Sequence, residues 1–218
     1  MKIGIVPMSG KPVHAGHYGL IMLASKECDE VHLYVSTTDR GIISGEAMKK
    51  IWLTEIIPTL PPNVEVTLGG SPIRNAWADV GQASEEGSQD TYLMYSDVVD
   101  AAANFPDAAF QRYAANLFTN GQIMRRPVER TSTVNISGTK MRQFIQDDDK
   151  ESFLRYLPNK INGEKVWQIL TQHVPGRHRQ LTSEAQPGSF VKNDSLKLTV
   201  GQLRSLIKET IAKSIHQL

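Results

Sequence analysis

Two histidines three positions apart are the residues of this sequence best suited to chemistry. His14 and His17 lie between an apolar run at residues 3–6 and an apolar-periodic stretch at residues 18–24. This order of strand, loop and helix places the histidines at the carboxyl edge of a parallel sheet, where open α/β folds bind ligands. Imidazole groups there can donate hydrogen bonds to phosphate oxygens on which negative charge develops.

The backbone of the same segment also favours an anion. Gly16 lets a phosphate approach the main chain, and the N–H groups and positive end of the following helix attract negative charge. Lys11 adds a positive charge that suits a phosphorylated ligand, although a solvated loop lysine is nearly as good an interpretation. Two ordinary loop histidines are the simplest alternative for His14 and His17.

Two other interpretations of this segment fail on spacing. A P-loop has four residues between its glycines and Ser or Thr after its lysine. Here five residues separate Gly4 from Gly10, and a proline follows Lys11. A zinc site needs three or four ligands, and Cys28 and His32 show no convincing arrangement for it.

A second helix start lies at residues 135–142, Asn-Ile-Ser-Gly-Thr-Lys-Met-Arg. Ser137 is a natural N-cap, and its hydroxyl and that of Thr139 can bond amides or phosphate oxygens. Arg142 follows Gly138 by about one helical turn and can reach back to clamp a phosphate bidentately. Simple capping with a solvated arginine is the alternative.

Together these segments resemble the nucleotidyltransferase superfamily of the adenylyltransferase and cytidylyltransferase type. That superfamily has a His-x-Gly-His motif after its first strand and an Ile-Ser-x-Thr-x-x-Arg motif late in the domain. Residues 14–17 and 136–142 match both motifs at every defining position and in the right order. The resemblance covers roughly residues 1–173.

The resemblance implies a Rossmann-like fold, a magnesium-bound nucleoside triphosphate and no protein-held metal. It implies in-line attack of a small phosphorylated acceptor on the α-phosphorus, with release of pyrophosphate. The candidate catalytic residues are His14, His17 and Lys11. The candidate nucleotide-binding residues are Gly16, Ser137, Gly138, Thr139, Arg142 and Asp97. For Asp97, which follows a strand, capping of the next helix is the alternative.

Substrate choice is less well defined by the sequence. The Gly-Thr variant of the second motif favours transfer of AMP, and transfer of CMP remains the alternative. Lys49, Lys50 and Arg74 fall where acceptor-binding residues often occur, although each can equally be a solvated surface residue. Trp52 and Trp77 can stack on a base, but core packing is the better interpretation of both.

The pattern of elements predicts an α/β fold, with a mostly parallel sheet and helices on both faces. The predicted strands are at residues 3–6, 31–36, 64–67, 91–95 and, more weakly, 123–124. The predicted helices are at residues 18–24, 45–57, 97–104, 108–117, 138–147, 150–156 and 163–173. Residues 1–174 form the predicted nucleotidyltransferase domain.

The C-terminal part differs from the rest of the sequence in composition. Prolines, glycines and polar residues predict a linker over residues 175–198. Thr199 and Gln202 form a capping box, and apolar residues at helical spacing predict an amphipathic helix over residues 199–218. That helix can dock on its own domain, on a sister subunit or on another protein. A nucleotide-binding interaction protein is therefore the non-enzymatic alternative.

Composition narrows the class of protein. The 218 residues are 40% apolar and 22% charged, as in ordinary globular domains. The formal charge of +1 gives no reason to expect a nucleic-acid partner. The sequence has no run of the roughly 20 apolar residues that cross a bilayer. The single cysteine, Cys28, cannot form an internal disulfide, so we expect a buried thiol in a cytoplasmic protein.

Overall fold

Five parallel strands form the centre of the computed structural model, which describes residues 1–129 and 134–172 and the backbone of residues 196–199. The strands are β1 (Lys2–Met8), β2 (Glu30–Val35), β3 (Val64–Leu68), β4 (Thr91–Asp97) and β5 (Ile123–Val128). They lie in the order β5-β4-β1-β2-β3, and every neighbouring pair among them is parallel. The loops after β1 and β4 therefore leave a topological switch point between two adjacent strands.

Helices cover both faces of this sheet. They are α1 (Ala15–Glu27), α2 (Gly45–Ile51), α3 (Pro72–Glu85), α4 (Ala101–Asn104), α5 (Asp107–Tyr113), α6 (Ala115–Thr119), α7 (Gly138–Gln146), α8 (Lys150–Arg155) and α9 (Gly163–Gln172). Side chains of β1 point alternately to the two faces of the sheet. Ile3 and Ile5 pack with α3, α5 and α6 on one face. Val6 and Met8 pack with α1, α2 and α7–α9 on the other. The predicted α/β class with a mostly parallel sheet is confirmed.

Three predicted helices have different bounds in the structure. The helical path from Gly45 does not stop at Pro58, because a π-helical turn (Trp52–Ile56) and a 3-10 turn (Ile57–Thr59) continue it, and Pro58 stands at the start of the latter. The helix expected near 108–117 is two helices, α5 and α6, broken at Ala114. The helix expected near 97–104 is only α4, since β4 runs on to Asp97.

A sixth strand lies where the sequence predicts the end of the linker and the start of the last helix. Residues Leu196–Thr199 form β6, which pairs antiparallel with β3 from Glu65–Thr199 to Leu68–Leu196. The physical reason is that β3 would otherwise present an open row of N–H and C=O groups, which a short extended segment satisfies. The expected helix start at Thr199 is therefore wrong at that residue. The rest of the predicted linker and helix lies outside the described residues, and the domain bounds stay a prediction.

Three residues considered for chemistry prove to be core residues. Cys28 is buried, with its Sγ 3.4 Å from the Tyr95 hydroxyl, as expected of a structural thiol. Trp52 is fully buried, and Trp77 packs edge-on against two phenylalanines. Neither tryptophan is placed to stack on a base. In the described part of the chain, no helix has both the length and the apolar composition to span a bilayer.

Gly45 fixes the loop between β2 and α2. Its N–H donates to Asp39 Oδ1 at 2.7 Å, and a Cβ at this position would lie 1.7 Å from the Thr37 carbonyl oxygen. We expect Gly45→Ala to lower the free energy of unfolding by about 3 kcal/mol or more, because backbone must move to admit the methyl group. Glu46→Ala, on the exposed next residue, should lower it by at most about 1 kcal/mol, the usual contribution of an acidic side chain in the first turn of a helix. Urea unfolding measures both, and equal stability of the two variants would contradict the expectation.

Candidate functional site

A cleft of about 730 Å³ opens at the carboxyl edge of the sheet. Its walls come from the ends of β1, β2, β4 and β5 and from the starts of α1, α3 and α7. The residues that line it include Ser9, Lys11, His14, Gly16, His17, Ser36, Thr38, Asp39, Arg40, Ser96, Asp97, Asp100, Ser137 and Gly138. Both segments singled out by the sequence therefore meet at one cleft, at the switch point of the sheet.

The first helix start presents its two imidazoles as a stacked pair. His14 has extended backbone as the N-cap of α1, and its Nδ1 accepts a long hydrogen bond of 3.4 Å from the His17 N–H. The two rings stack with centroids 3.8 Å apart and planes 22° apart. Gly16 is required by a close approach: a Cβ there would lie 2.8 Å from the carbonyl oxygen of Val134.

His17 has a buried nitrogen for which the described residues provide no hydrogen-bond partner. That atom is Nδ1, and the burial lowers the pKa of His17 to about 4. The imidazole is therefore neutral near pH 7. Buried polar atoms are almost always hydrogen-bonded in folded proteins, so an unsatisfied one beside a cleft points to a ligand group.

Lys11 is a buried part of the wall, so its interpretation as a solvated loop lysine is wrong. The residue is only 4% exposed, and its Nζ donates to Ser36 Oγ at 2.7 Å and to Thr38 Oγ1 at 2.6 Å. Burial lowers the pKa of Lys11 and nearby Arg40 lowers it further, while Asp39 opposes both effects. The ammonium group thus holds the end of β1 against the loop after β2.

The second helix start touches the first through Lys11. Ser137 caps α7, accepting from the Lys140 N–H at 3.2 Å. Arg142 donates from one guanidinium nitrogen to the Lys11 carbonyl oxygen at 2.8 Å and from another to Thr139 Oγ1 at 2.9 Å. Ser137 lines the cleft, whereas Thr139 and Arg142 are not among its lining residues.

The loop after β1 and the start of α7 pack closely at Gly138. A Cβ at Gly138 would lie 3.2 Å from the Lys11 carbonyl oxygen and 3.3 Å from a guanidinium nitrogen of Arg142. Burial lowers the pKa of Arg142, and the nearby charge of Arg40 lowers it further. Lys11, Arg40 and Arg142 therefore form a group of close positive charges that an anion would stabilise.

The end of β4 contributes two neighbouring polar residues. Asp97 Oδ1 accepts from the Val99 N–H at 2.9 Å, so this side chain stabilises the turn after β4, and α4 begins only at Ala101. Ser96 is 6% exposed, and its Oγ has no hydrogen-bond partner among the described residues. Ser96 gives the cleft a second unsatisfied polar atom beside that of His17.

Some predicted site residues lie elsewhere, and others were missed. Lys49 and Lys50 are exposed on the side of α2 away from its buried residues, and Arg74 is exposed on α3; none of them lines the cleft. The cleft is also lined by residues that the sequence did not single out: Thr38, Asp39 and Arg40 in the loop after β2, and Asp100 and Asn104 after β4. The rule that identified the histidines, polar residues at the carboxyl end of a strand, would have found the loop after β2.

No protein-family model matches the chain, and no curated protein matches it. Among solved structures, the chain is similar to a crystal structure of Thermotoga maritima TmcAL bound with alpha-thio ATP. The two are 16% identical with a TM-score of 0.46, over 79% of this chain and 55% of the other. The chain thus spans about half the length of that protein.

The buried imidazole of His17 should make stability depend on pH. The unfolded chain takes up this proton near pH 6.5, whereas the folded chain does so only near pH 4. The stability of the wild type should therefore fall between about pH 6.5 and 4, by up to about 3 kcal/mol more than that of His17→Gln. Urea unfolding of both proteins across this range measures the difference. Curves that stay parallel would show that His17 is not held neutral.

Proposed function

We propose that the protein is a nucleotidyltransferase that transfers AMP from ATP to a small phosphorylated acceptor and releases pyrophosphate. The observation that carries the proposal is the meeting of two helix N-termini at one cleft, one bearing the imidazole pair and the other Ser137. The hydrogen bond from Arg142 to the Lys11 carbonyl oxygen joins them. Helix N-termini favour phosphate groups, and two of them at one cleft suit a triphosphate.

In this proposal the β- and γ-phosphates lie at the N-terminus of α7. Ser137, Gly138 and Thr139 begin that helix, and the guanidinium group of Arg142 lies beside it. The α-phosphate then lies towards α1, where the imidazole of His14 and the neutral imidazole of His17 can each donate one N–H. A donor is most valuable where the negative charge grows, at the oxygens of the five-coordinate phosphorus.

The reaction needs little covalent chemistry from the protein. An oxygen of the acceptor phosphate attacks the α-phosphorus in line, a new P–O bond forms, and the bond to pyrophosphate breaks. Mg²⁺ bound with the triphosphate would supply positive charge beside the leaving pyrophosphate. Asp39, Asp97 and Asp100 line the cleft and have carboxylate oxygens, the ligand type that Mg²⁺ prefers.

The acceptor phosphate fits the wall formed by Lys11 and the loop after β2. Arg40 is exposed on that loop and lines the cleft, and Thr38 and Ser36 hold the Lys11 ammonium beside it. These residues replace Lys49, Lys50 and Arg74 as candidates for acceptor binding. A phosphate is the ligand group that such paired cations and hydroxyl groups recognise.

The direct test is a screen for pyrophosphate release. ATP and CTP are each combined with NMN, phosphopantetheine, glycerol phosphate and phosphocholine, in the presence of Mg²⁺. We expect release with ATP and one acceptor. Release only with CTP would assign the cytidylyl-transferring alternative. Nucleotide binding without release in any combination would leave the non-enzymatic alternative, an interaction protein.

His17→Ala should reduce turnover about 100-fold or more, because one lost donor to the transition state costs about 3 kcal/mol. The measurement is kcat with the active substrate pair. Arg112→Ala is the matched control, since Arg112 is exposed on α5 and does not line the cleft. Turnover at the wild-type level in His17→Ala would remove the imidazole from the mechanism.

Arg142→Lys separates charge from geometry. Lysine keeps the positive charge but cannot bond the Lys11 carbonyl oxygen and the triphosphate through one planar fork. We expect about a tenfold or larger loss of kcat/KM for ATP, measured by pyrophosphate release. A variant as efficient as the wild type would mean that only the charge of Arg142 matters.

A further inference from the structure

Three potential metal ligands share one face of the sheet, apart from the cleft. Glu30 and His32 are two residues apart in β2, so the pleat points both side chains to the same side. Glu65 is the register partner of His32 in β3 and lies beside it. One imidazole nitrogen and two carboxylate oxygens of these residues all lie within 4.8 Å of one another.

A carboxylate on α3 orients the imidazole of this group. Asp79 Oδ2 lies 2.5 Å from His32 Nδ1 and accepts a hydrogen bond of 2.6 Å from the Tyr34 hydroxyl. Nδ1 therefore carries the proton, and Nε2 faces Glu30 at 3.2 Å. A histidine whose second nitrogen donates to a carboxylate is the usual arrangement around a protein-bound metal.

The charge of the group requires a positive partner at Nε2. The lone pair of a neutral imidazole would otherwise face a carboxylate oxygen, which is repulsive. A proton or a metal cation can fill this position, and the two compete for the same nitrogen.

We propose that Glu30, His32 and Glu65 bind a divalent transition metal, with Zn²⁺ as the best fit. One imidazole and two carboxylates are ligands that Zn²⁺ accepts, and three protein ligands leave one position for water. In a tetrahedral site, ligand atoms about 2.1 Å from the ion are about 3.4 Å apart. The three ligand atoms lie within 4.8 Å of one another. The widest pair therefore closes by up to about 1.4 Å, and the partly exposed Glu30 side chain can move towards the ion.

The position in the fold indicates a clamp between strands. The ligands come from β2 and β3, and Asp79 adds α3, so a bound ion would tie three elements together. Glu30 begins β2, about 20 Å along the strand from Ser36 at the cleft, taking about 3.3 Å per residue. The site is thus independent of the proposed function, and its test does not require an active enzyme.

The test is calorimetric titration of the full chain, freed of metal by a chelator, with ZnCl₂ alone. We expect Glu30→Gln to weaken one binding event at least tenfold, and Asp79→Asn to weaken the same event 10- to 100-fold. Glu85→Gln, on an exposed residue of α3, is the matched control and should titrate like the wild type. The melting temperature of the wild type should rise with Zn²⁺ concentration.

Two outcomes would overturn the proposal. If Glu30→Gln and Asp79→Asn titrate like the wild type, any bound Zn²⁺ lies elsewhere, for instance on the histidines of the cleft. If Zn²⁺ leaves the NMR signals of the His32 ring unchanged, the group is an imidazolium held by carboxylates. Glu30→Gln keeps the test decisive even if replacement of His32 prevents folding, because the Glu30 side chain is 38% exposed.

Discussion

The hydrogen bond from Arg142 to the carbonyl oxygen of Lys11 is the interaction on which the candidate site depends. It spans 131 positions of the chain and joins the loop after β1 to the second turn of α7. The side chain of the same lysine reaches the other way, to Ser36 and Thr38 after β2. One residue therefore ties two loops and a helix start together, which is how a cleft between separate elements keeps a defined shape.

This joint brings like charges together, and the carboxylate of Asp39 offsets only part of the effect on Lys11. Lys11 is buried, Arg142 is half-buried, and Arg40 disfavours the charged form of both. Such an arrangement lowers the stability of the free protein and raises its affinity for anions, because a ligand that removes the repulsion binds the folded state alone. The unsatisfied Nδ1 of His17 and Oγ of Ser96 also lower the stability of the free protein and favour a ligand that bonds them. These features are typical of binding sites, where local stability is exchanged for affinity.

Much of the fold follows from local sequence patterns, and so do the central residues of the site. The alternation of strands and helices predicts the parallel sheet, and the position of His14 and His17 after β1 predicts their place at its carboxyl edge. Side-chain exposure within a helix is harder to predict: Lys49 and Lys50 follow the buried Met48, but the helix turns them away from the cleft. The pairing of β6 with β3 depends on a strand edge that is known only once the sheet is assembled. Arg40 follows β2 as the histidines follow β1, so the same rule predicts it, and its place in the cleft wall depends on the loop conformation that Gly45 permits.

Glu30 and His32 on β2 show that spacing along the sequence is not enough to predict a metal site. His32 was set aside as a metal ligand because, with Cys28, it shows no convincing arrangement of the three or four ligands that zinc needs. Glu30, two residues away, supplies only one more. The register partner of His32, Glu65, comes from a neighbouring parallel strand, whose register no local pattern specifies, and Asp79 comes from the crossover helix. Parallel strands are joined by long crossovers, so residues that meet across them are always distant in sequence. Helix starts, in contrast, carry their functional groups within one turn, so the residues of the cleft could be predicted from the sequence. The group formed by His32 and its carboxylates could be found only in the assembled sheet.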